Sequence, residues 1–187
     1  MRNVIRLMVA VVLVGAVKVS AQDLSRGRNE LGLAGIIRLD EPAPLDYMVF
    51  MDAKYGRFVR DKLQIGAIAT VFATDVSWTL TVGPLVEYNF DLGNRWPRLT
   101  PWVPFVGASV ALATAEIDED WAVDVERAET RAESSSGVAI TGETGIKRFL
   151  SDSVALTASF NFSWSSDDVF NGESDAQNIL LGIRAYF

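Results

Sequence analysis

The 187-residue chain carries 24 acidic against 17 basic side chains, a formal charge of −7, and contains neither cysteine nor histidine. An acidic balance argues against a nucleic-acid partner, and without cysteine the fold has to hold without disulfides. Without histidine, the commonest general base and the commonest metal ligand are both missing.

The chain starts MRNVIRLMVAVVLVGAVKVSAQ, with Arg2 and Arg6 ahead of an apolar run from Leu7 to Val17 and small residues at Ser20 and Ala21. This is the pattern of a cleaved secretory signal peptide over residues 1–21. The apolar run is too short for a spanning helix, which needs about 20 residues. Residues 22–187 then form a single domain, and losing Arg2, Arg6 and Lys18 leaves 14 basic against 24 acidic residues, a balance of −10.

From Asn29 onward, alternating segments of roughly ten residues recur between turns and loops. They are expected at 29–39, 46–57, 62–73, 78–90, 102–116, 136–149, 153–164 and 177–187. In the fourth, Trp78, Leu80, Val82, Pro84, Val86, Tyr88 and Phe90 share one face, opposite Thr79, Thr81, Gly83, Leu85, Glu87 and Asn89. In the seventh, Val154 through Trp164 gives an apolar face opposite Ala155, Thr157, Ser159, Asn161 and Ser163. In the last, Ile179, Leu181, Ile183, Ala185 and Phe187 alternate with Leu180, Gly182, Arg184 and Tyr186. Short links at Val59-Arg60-Asp61 and Leu150-Ser151-Asp152, with a longer one at DLGNRWPRLTP, alternate with the loops EPAPLD, TDVS, 117–135 and SSDDVFNGESDA. Eight strands connected in this way imply an all-β, eight-stranded antiparallel up-and-down barrel with both ends of the sheet on one side.

Such a barrel admits two solutions: an apolar interior around a ligand, as in a soluble lipocalin, or an apolar exterior against lipid with a polar lumen. The mixed face supports the second. An eight-stranded barrel has room inside only for side chains, and here that face offers Gly66, Gly83, Gly107, Ser109, Gly145, Ser159 and Gly182 with the charges Glu30, Arg38, Asp52, Lys54, Glu87, Glu143, Lys147 and Arg184. The apolar face carries rings near strand ends at Tyr47, Tyr55, Trp78, Tyr88, Phe90, Trp102, Trp164 and Phe187. Amphipathic rings favour the headgroup level of a bilayer.

On the stretches ILLGIRAYF, TGETGIKRFLSDSVALTASFNFSW and PWVPFVGASVALA, the chain resembles the small eight-stranded outer-membrane barrels of the OmpA and OmpX type, broadly the opacity-protein-like family. The resemblance implies a transmembrane barrel in the outer membrane, surrounded by lipid and lipopolysaccharide, with both termini periplasmic. It also implies that the last strand, through Ile179, Leu181, Ile183 and Phe187, is the signal read by the outer-membrane assembly machinery. The family favours a second aromatic at the third residue from the end, where this chain has Ala185 beside Tyr186.

The barrels of this type that modify lipids rely on a histidine base, so Ser163 and Ser165 lack an ordinary activating partner. Glu87 and Glu143 form a conceivable carboxylate dyad, but burial instead favours pairing with Lys147, Arg184, Arg38 or Lys54. No phosphate loop, metal-ligand spacing or cofactor fingerprint is present in the sequence. The expectation is therefore a monomeric, non-enzymatic barrel without cofactor, acting structurally or through its surface. The acidic stretch EIDEDWAVDVERAETRAE, with Asp118, Glu119, Asp120, Trp121 and Asp124, is the exposed loop for a partner or for divalent cations near lipopolysaccharide. A narrow ion pore and a soluble lipocalin-like barrel are the competing readings.

Overall fold

The structure, a computed structural model, describes residues 24–39, 47–74, 77–90, 101–117, 135–166 and 175–187. Eight strands, β1 (Asn29–Leu39), β2 (Tyr47–Arg60), β3 (Leu63–Thr74), β4 (Ser77–Asn89), β5 (Trp102–Ile117), β6 (Ser135–Ser151), β7 (Val154–Ser165) and β8 (Asp175–Tyr186), close into one barrel in chain order. Every neighbouring pair is antiparallel. β1 closes against β8 from Glu30↔Tyr186 to Gly35↔Leu181, and Asn29 and Phe187 exchange backbone hydrogen bonds of 2.8 and 3.1 Å. The strand count and the order of connections are those expected from the alternation.

The alternation also sets the facing. Along β4, Val82 and Val86 point outward at 49% and 44% exposure, while Thr79 and Glu87, of the opposite parity, are buried at 3% and 2%. Leu112, Ile179 and Leu181 on other strands are more exposed still. The apolar face is therefore the outside of the barrel, the inverse of a soluble lipocalin.

At the short turns two strands run further than the sequence suggests. β2 and β6 continue to Arg60 and Ser151, so the expected links at Val59-Arg60-Asp61 and Leu150-Ser151-Asp152 shrink to two-residue turns at Asp61-Lys62 and Asp152-Ser153. A register shift sits before each turn, between Phe58 and Arg60 and between Phe149 and Ser151. A bulge adds one residue and breaks the two-residue period while pairing continues, so the sequence looks as if the strand has ended. Lys62 takes the left-handed conformation, with φ of 69°, that closes the first of these turns.

Pro84 lies inside β4, where its missing N–H interrupts the ladder to β5 between Val82↔Leu112 and Leu85↔Ser109. A side chain on its neighbour Gly83 would start 2.0 Å from the Val110 carbonyl oxygen, so only glycine lets the two strands approach this closely.

The turns at 61–62 and 152–153, together with the start of β1 and the end of β8, share one end of the barrel. At this turn end, residues preceding β1 fold against the opening. Lys62 donates its backbone N–H to the Leu24 carbonyl, Gly27 donates to Phe58, and Phe58 donates to Arg28. Leu24 thereby joins Phe58, Val103, Phe149, Ala155 and Tyr186 in an apolar cluster inside the barrel. An apolar plug at this end was not expected from the sequence, which suggested a lumen of small and polar groups.

Candidate functional site

Above the apolar plug lies a layer of charged side chains delivered by five strands. Glu30 comes from β1, Asp52 and Lys54 from β2, Glu87 from β4, Glu143 and Lys147 from β6, and Arg184 from β8. Each occupies the inward parity of its strand, and all but Glu143, which is slightly more open, are almost wholly buried. Glu30 and Arg184 are 154 positions apart in sequence, and only closure of β1 on β8 brings them together.

The network has two parts. In the lower part, Lys147 Nζ donates to Glu30 Oε2 at 2.7 Å and to Glu87 Oε1 at 2.5 Å. Arg184 donates to the other oxygen of Glu30, and its second terminal nitrogen stands 3.6 Å from Glu87 Oε2. Asn89 Nδ2 adds a bond of 3.2 Å to Glu87. Two carboxylates here meet two bases, and the Phe105 ring lies 5.1 Å from Lys147 Nζ and 5.6 Å from the Arg184 guanidinium carbon. Gly32 makes room for this arrangement, since a side chain there would start 2.6 Å from Arg184 Cδ.

In the upper part, Lys54 donates to Glu143 Oε2 and stands 3.9 Å from Asp52 Oδ2, while Arg184 reaches within 3.8 Å of Glu143 Oε1. Asp52 is held mainly by neutral donors: Thr70 Oγ1 at 2.7 Å and Asn161 Nδ2 at 3.2 Å. Beyond Asp52, toward the end opposite the turns, lies a cavity of about 230 Å³ lined by residues that include Phe50, Phe72, Thr81, Thr141 and Ser163.

The side chains of Arg38 and Tyr47, the leader at 1–21 and the acidic segment with Asp118, Glu119, Asp120, Trp121 and Asp124 lie outside the described residues. Of the expected ring residues, Tyr55, Trp78, Tyr88, Phe90, Trp164 and Phe187 are exposed on the outer face. Register places Tyr55, Tyr88, Phe90, Trp102 and Phe187 toward the turn end, and Trp78 and Trp164 toward the loop end. Trp102 is half-buried, with the Arg148 guanidinium 5.3 Å from its ring centre. Ile179, Leu181 and Phe187 are exposed on the outer face of β8, and Ile183 between them is partly covered.

Glu87 and Glu143, weighed as a catalytic dyad, each bond to a base rather than to each other. The Ser163 hydroxyl pairs with Thr141 Oγ1 at 2.8 Å. Among the described residues no group of three or more His, Cys, Asp or Glu side chains is arranged to hold a metal ion. Sequence reasoning missed the inward apolar residues Phe58, Val103, Phe105, Phe149 and Leu180, although each has the parity of a luminal position on its strand.

No family model matches the chain, and no curated protein matches it by sequence. Among solved structures, it is similar to the N-terminal β-barrel domain of Pseudomonas aeruginosa OprF, with a TM-score of 0.60 at 14% identity, covering 87% of this chain and 98% of that one. It is also similar to Neisserial surface protein A, with a TM-score of 0.53 at 16% identity, covering 86% of this chain and 95% of that one. The chain has the fold of the small outer-membrane barrels.

Proposed function

We propose that this protein is a non-enzymatic barrel of the outer membrane whose work is done by its exposed loops, with the strands as a lipid-embedded support. The carrying observation is the inversion of polarity: an apolar belt bordered by rings at both ends surrounds a lumen of interlocked charges. Water on the outside and apolar packing inside would favour the opposite arrangement. In this reading residues 1–21 direct export and are removed, and both termini and the short turns face the periplasm. The acidic loop around Asp118, Glu119, Asp120, Trp121 and Asp124 faces outward among lipopolysaccharide headgroups, where it meets a partner or divalent cations. Ile179, Leu181, Ile183 and Phe187 on the closing strand serve the assembly machinery, and the barrel acts as a monomer.

A filled lumen weighs against conduction as the main role. The charge layer joins opposite walls, β2 to β6 through Lys54 and Glu143 and β8 to β4 through Arg184 and Glu87, and the apolar cluster around Leu24 and Tyr186 lies directly beneath it. It weighs against hydrolysis as well, because the buried carboxylates are engaged by lysine, arginine, threonine and asparagine donors.

The chain has no cysteine, which makes a clean labelling test available. Asp124→Cys in the acidic loop should react with a membrane-impermeant maleimide on intact cells. Asp152→Cys at a turn should react only after the outer membrane is permeabilised. The reverse pattern, or labelling of both variants in a soluble periplasmic extract, would overturn the proposal.

A further inference from the structure

The lumen is filled unevenly along its axis. Its turn half holds Phe58, Phe105, Phe149, Tyr186, Lys147 and Arg184, whereas inward positions on β5 and β6 toward the loop end are Ala111, Ala113, Ala115 and Ala139. On the same half, Thr70, Thr79, Thr81, Thr141, Ser163 and Ala176 are among the residues that line the cavity of about 230 Å³ described above.

The polar groups at this cavity do not balance. In the lower part of the network Glu30 and Glu87 are matched by Lys147 and Arg184, but in the upper part Asp52 and Glu143 share Lys54 as their close base. Lys54 sits against Glu143, which Arg184 also approaches at 3.8 Å, and this leaves Asp52 as the surplus negative charge among the described side chains at the cavity. A second observation points the same way. Asn161 is 3% exposed and lines the cavity, its Nδ2 is spent on Asp52, and its Oδ1 has no hydrogen-bond partner. A carboxylate and an orphaned amide oxygen together call for a cationic hydrogen-bond donor.

We propose that the cavity binds a small organic ammonium ion, its charged head donating to Asp52 and to Asn161 Oδ1 and its apolar body lying against Phe50, Ile68 and Phe72. The two phenyl rings stand edge-to-face with centroids 6.4 Å apart, forming an apolar wall that a bare inorganic cation would leave unused. Thr79, Thr81, Thr141 and Ser163 line the cavity beside them, the last two hydrogen-bonded to each other at 2.8 Å. This site belongs to the lumen and does not depend on what the loops contact.

The test uses isotope-labelled barrel refolded in detergent, titrated with benzylammonium and with the neutral benzyl alcohol, and read at the backbone amides of Thr81 and Ser163. Benzylammonium should shift both amides saturably, with the alcohol binding at least about tenfold more weakly. Asp52→Asn should abolish the preference for the cation, and Thr81→Phe, which fills the cavity, should abolish binding of both probes. Should Asp52→Asn not fold, Asn161→Leu removes the second acceptor and should weaken the cation selectively. Equal binding of the two probes to the unaltered barrel, an undiminished preference in the acceptor variant, displacement by sodium chloride at equal concentration, or no saturable shift at all would each overturn the proposal.

Discussion

Lys147 is the residue on which the interior turns most sharply. It is completely buried and bonds to both Glu30 and Glu87, so replacing it with methionine keeps much of its bulk and leaves two buried carboxylates to share the single charge of Arg184. Removing one partner from a buried pair costs about 3–5 kcal/mol, whereas replacing a whole network with apolar groups is often neutral. Lys147→Met should therefore lower the stability of the refolded barrel by about that amount in urea unfolding, and adding Glu87→Gln should recover part of the loss. A single variant as stable as the parent would show that the network carries no net electrostatic weight. The presence of charges at these positions was legible in the sequence, because Glu87, Glu143, Lys147 and Arg184 keep the luminal parity of their strands. Which carboxylate meets which base was not. Lys147 lies 117 positions from Glu30 and 60 from Glu87, and only the register of the closed sheet selects these partners over the other luminal charges.

Among the elements, β4 is the sharpest test of facing. Val82 pairs with Ala69 and Leu112 near the middle of the strands, points outward, and is followed in sequence by the close approach at Gly83. Arginine at the bilayer midplane of a barrel costs about 2–4 kcal/mol. Val82→Arg should show that loss when unfolded from lipid vesicles, while Thr81→Asn, facing the lumen beside the cavity, should show clearly less. Equal losses at the two positions would contradict the facing. Strand existence and facing were readable because a two-residue period survives any substitution that keeps polarity. The ends of β2 and β6 were not, since a bulged residue shifts the parity without ending the ladder. The apolar plug escaped for a related reason: Phe58 and Phe149 are inward yet apolar, so polarity alone does not tell them from outward residues, and their role appears only when Leu24 and Tyr186 are seen beside them.

For the whole molecule, closure is what pairs the two edge strands, and β1 and β8 accomplish it from Glu30↔Tyr186 to Gly35↔Leu181, a shorter ladder than any other in the barrel. Phe187 takes part through two backbone hydrogen bonds with Asn29 that do not depend on its ring, and the ring itself is exposed at 63%. Phe187→Ala should consequently cost the refolded barrel only about 1–3 kcal/mol, while abundance at the cell surface should fall by a larger factor if the ring is an assembly signal. Normal surface abundance would remove that role from Phe187. The architecture as a whole was visible in the sequence because its strands are chain-order neighbours, and such a meander needs no long-range choice of partner until the final pairing. The central claim, that the outward apolar belt requires lipid, is tested most directly by folding residues 22–187 from urea with and without phospholipid vesicles and comparing heated and unheated samples by gel electrophoresis. A lipid-requiring barrel gives a compact, faster-migrating species in the unheated sample with vesicles and aggregate without them. Cooperative folding to the same β-rich state in plain buffer would contradict the claim.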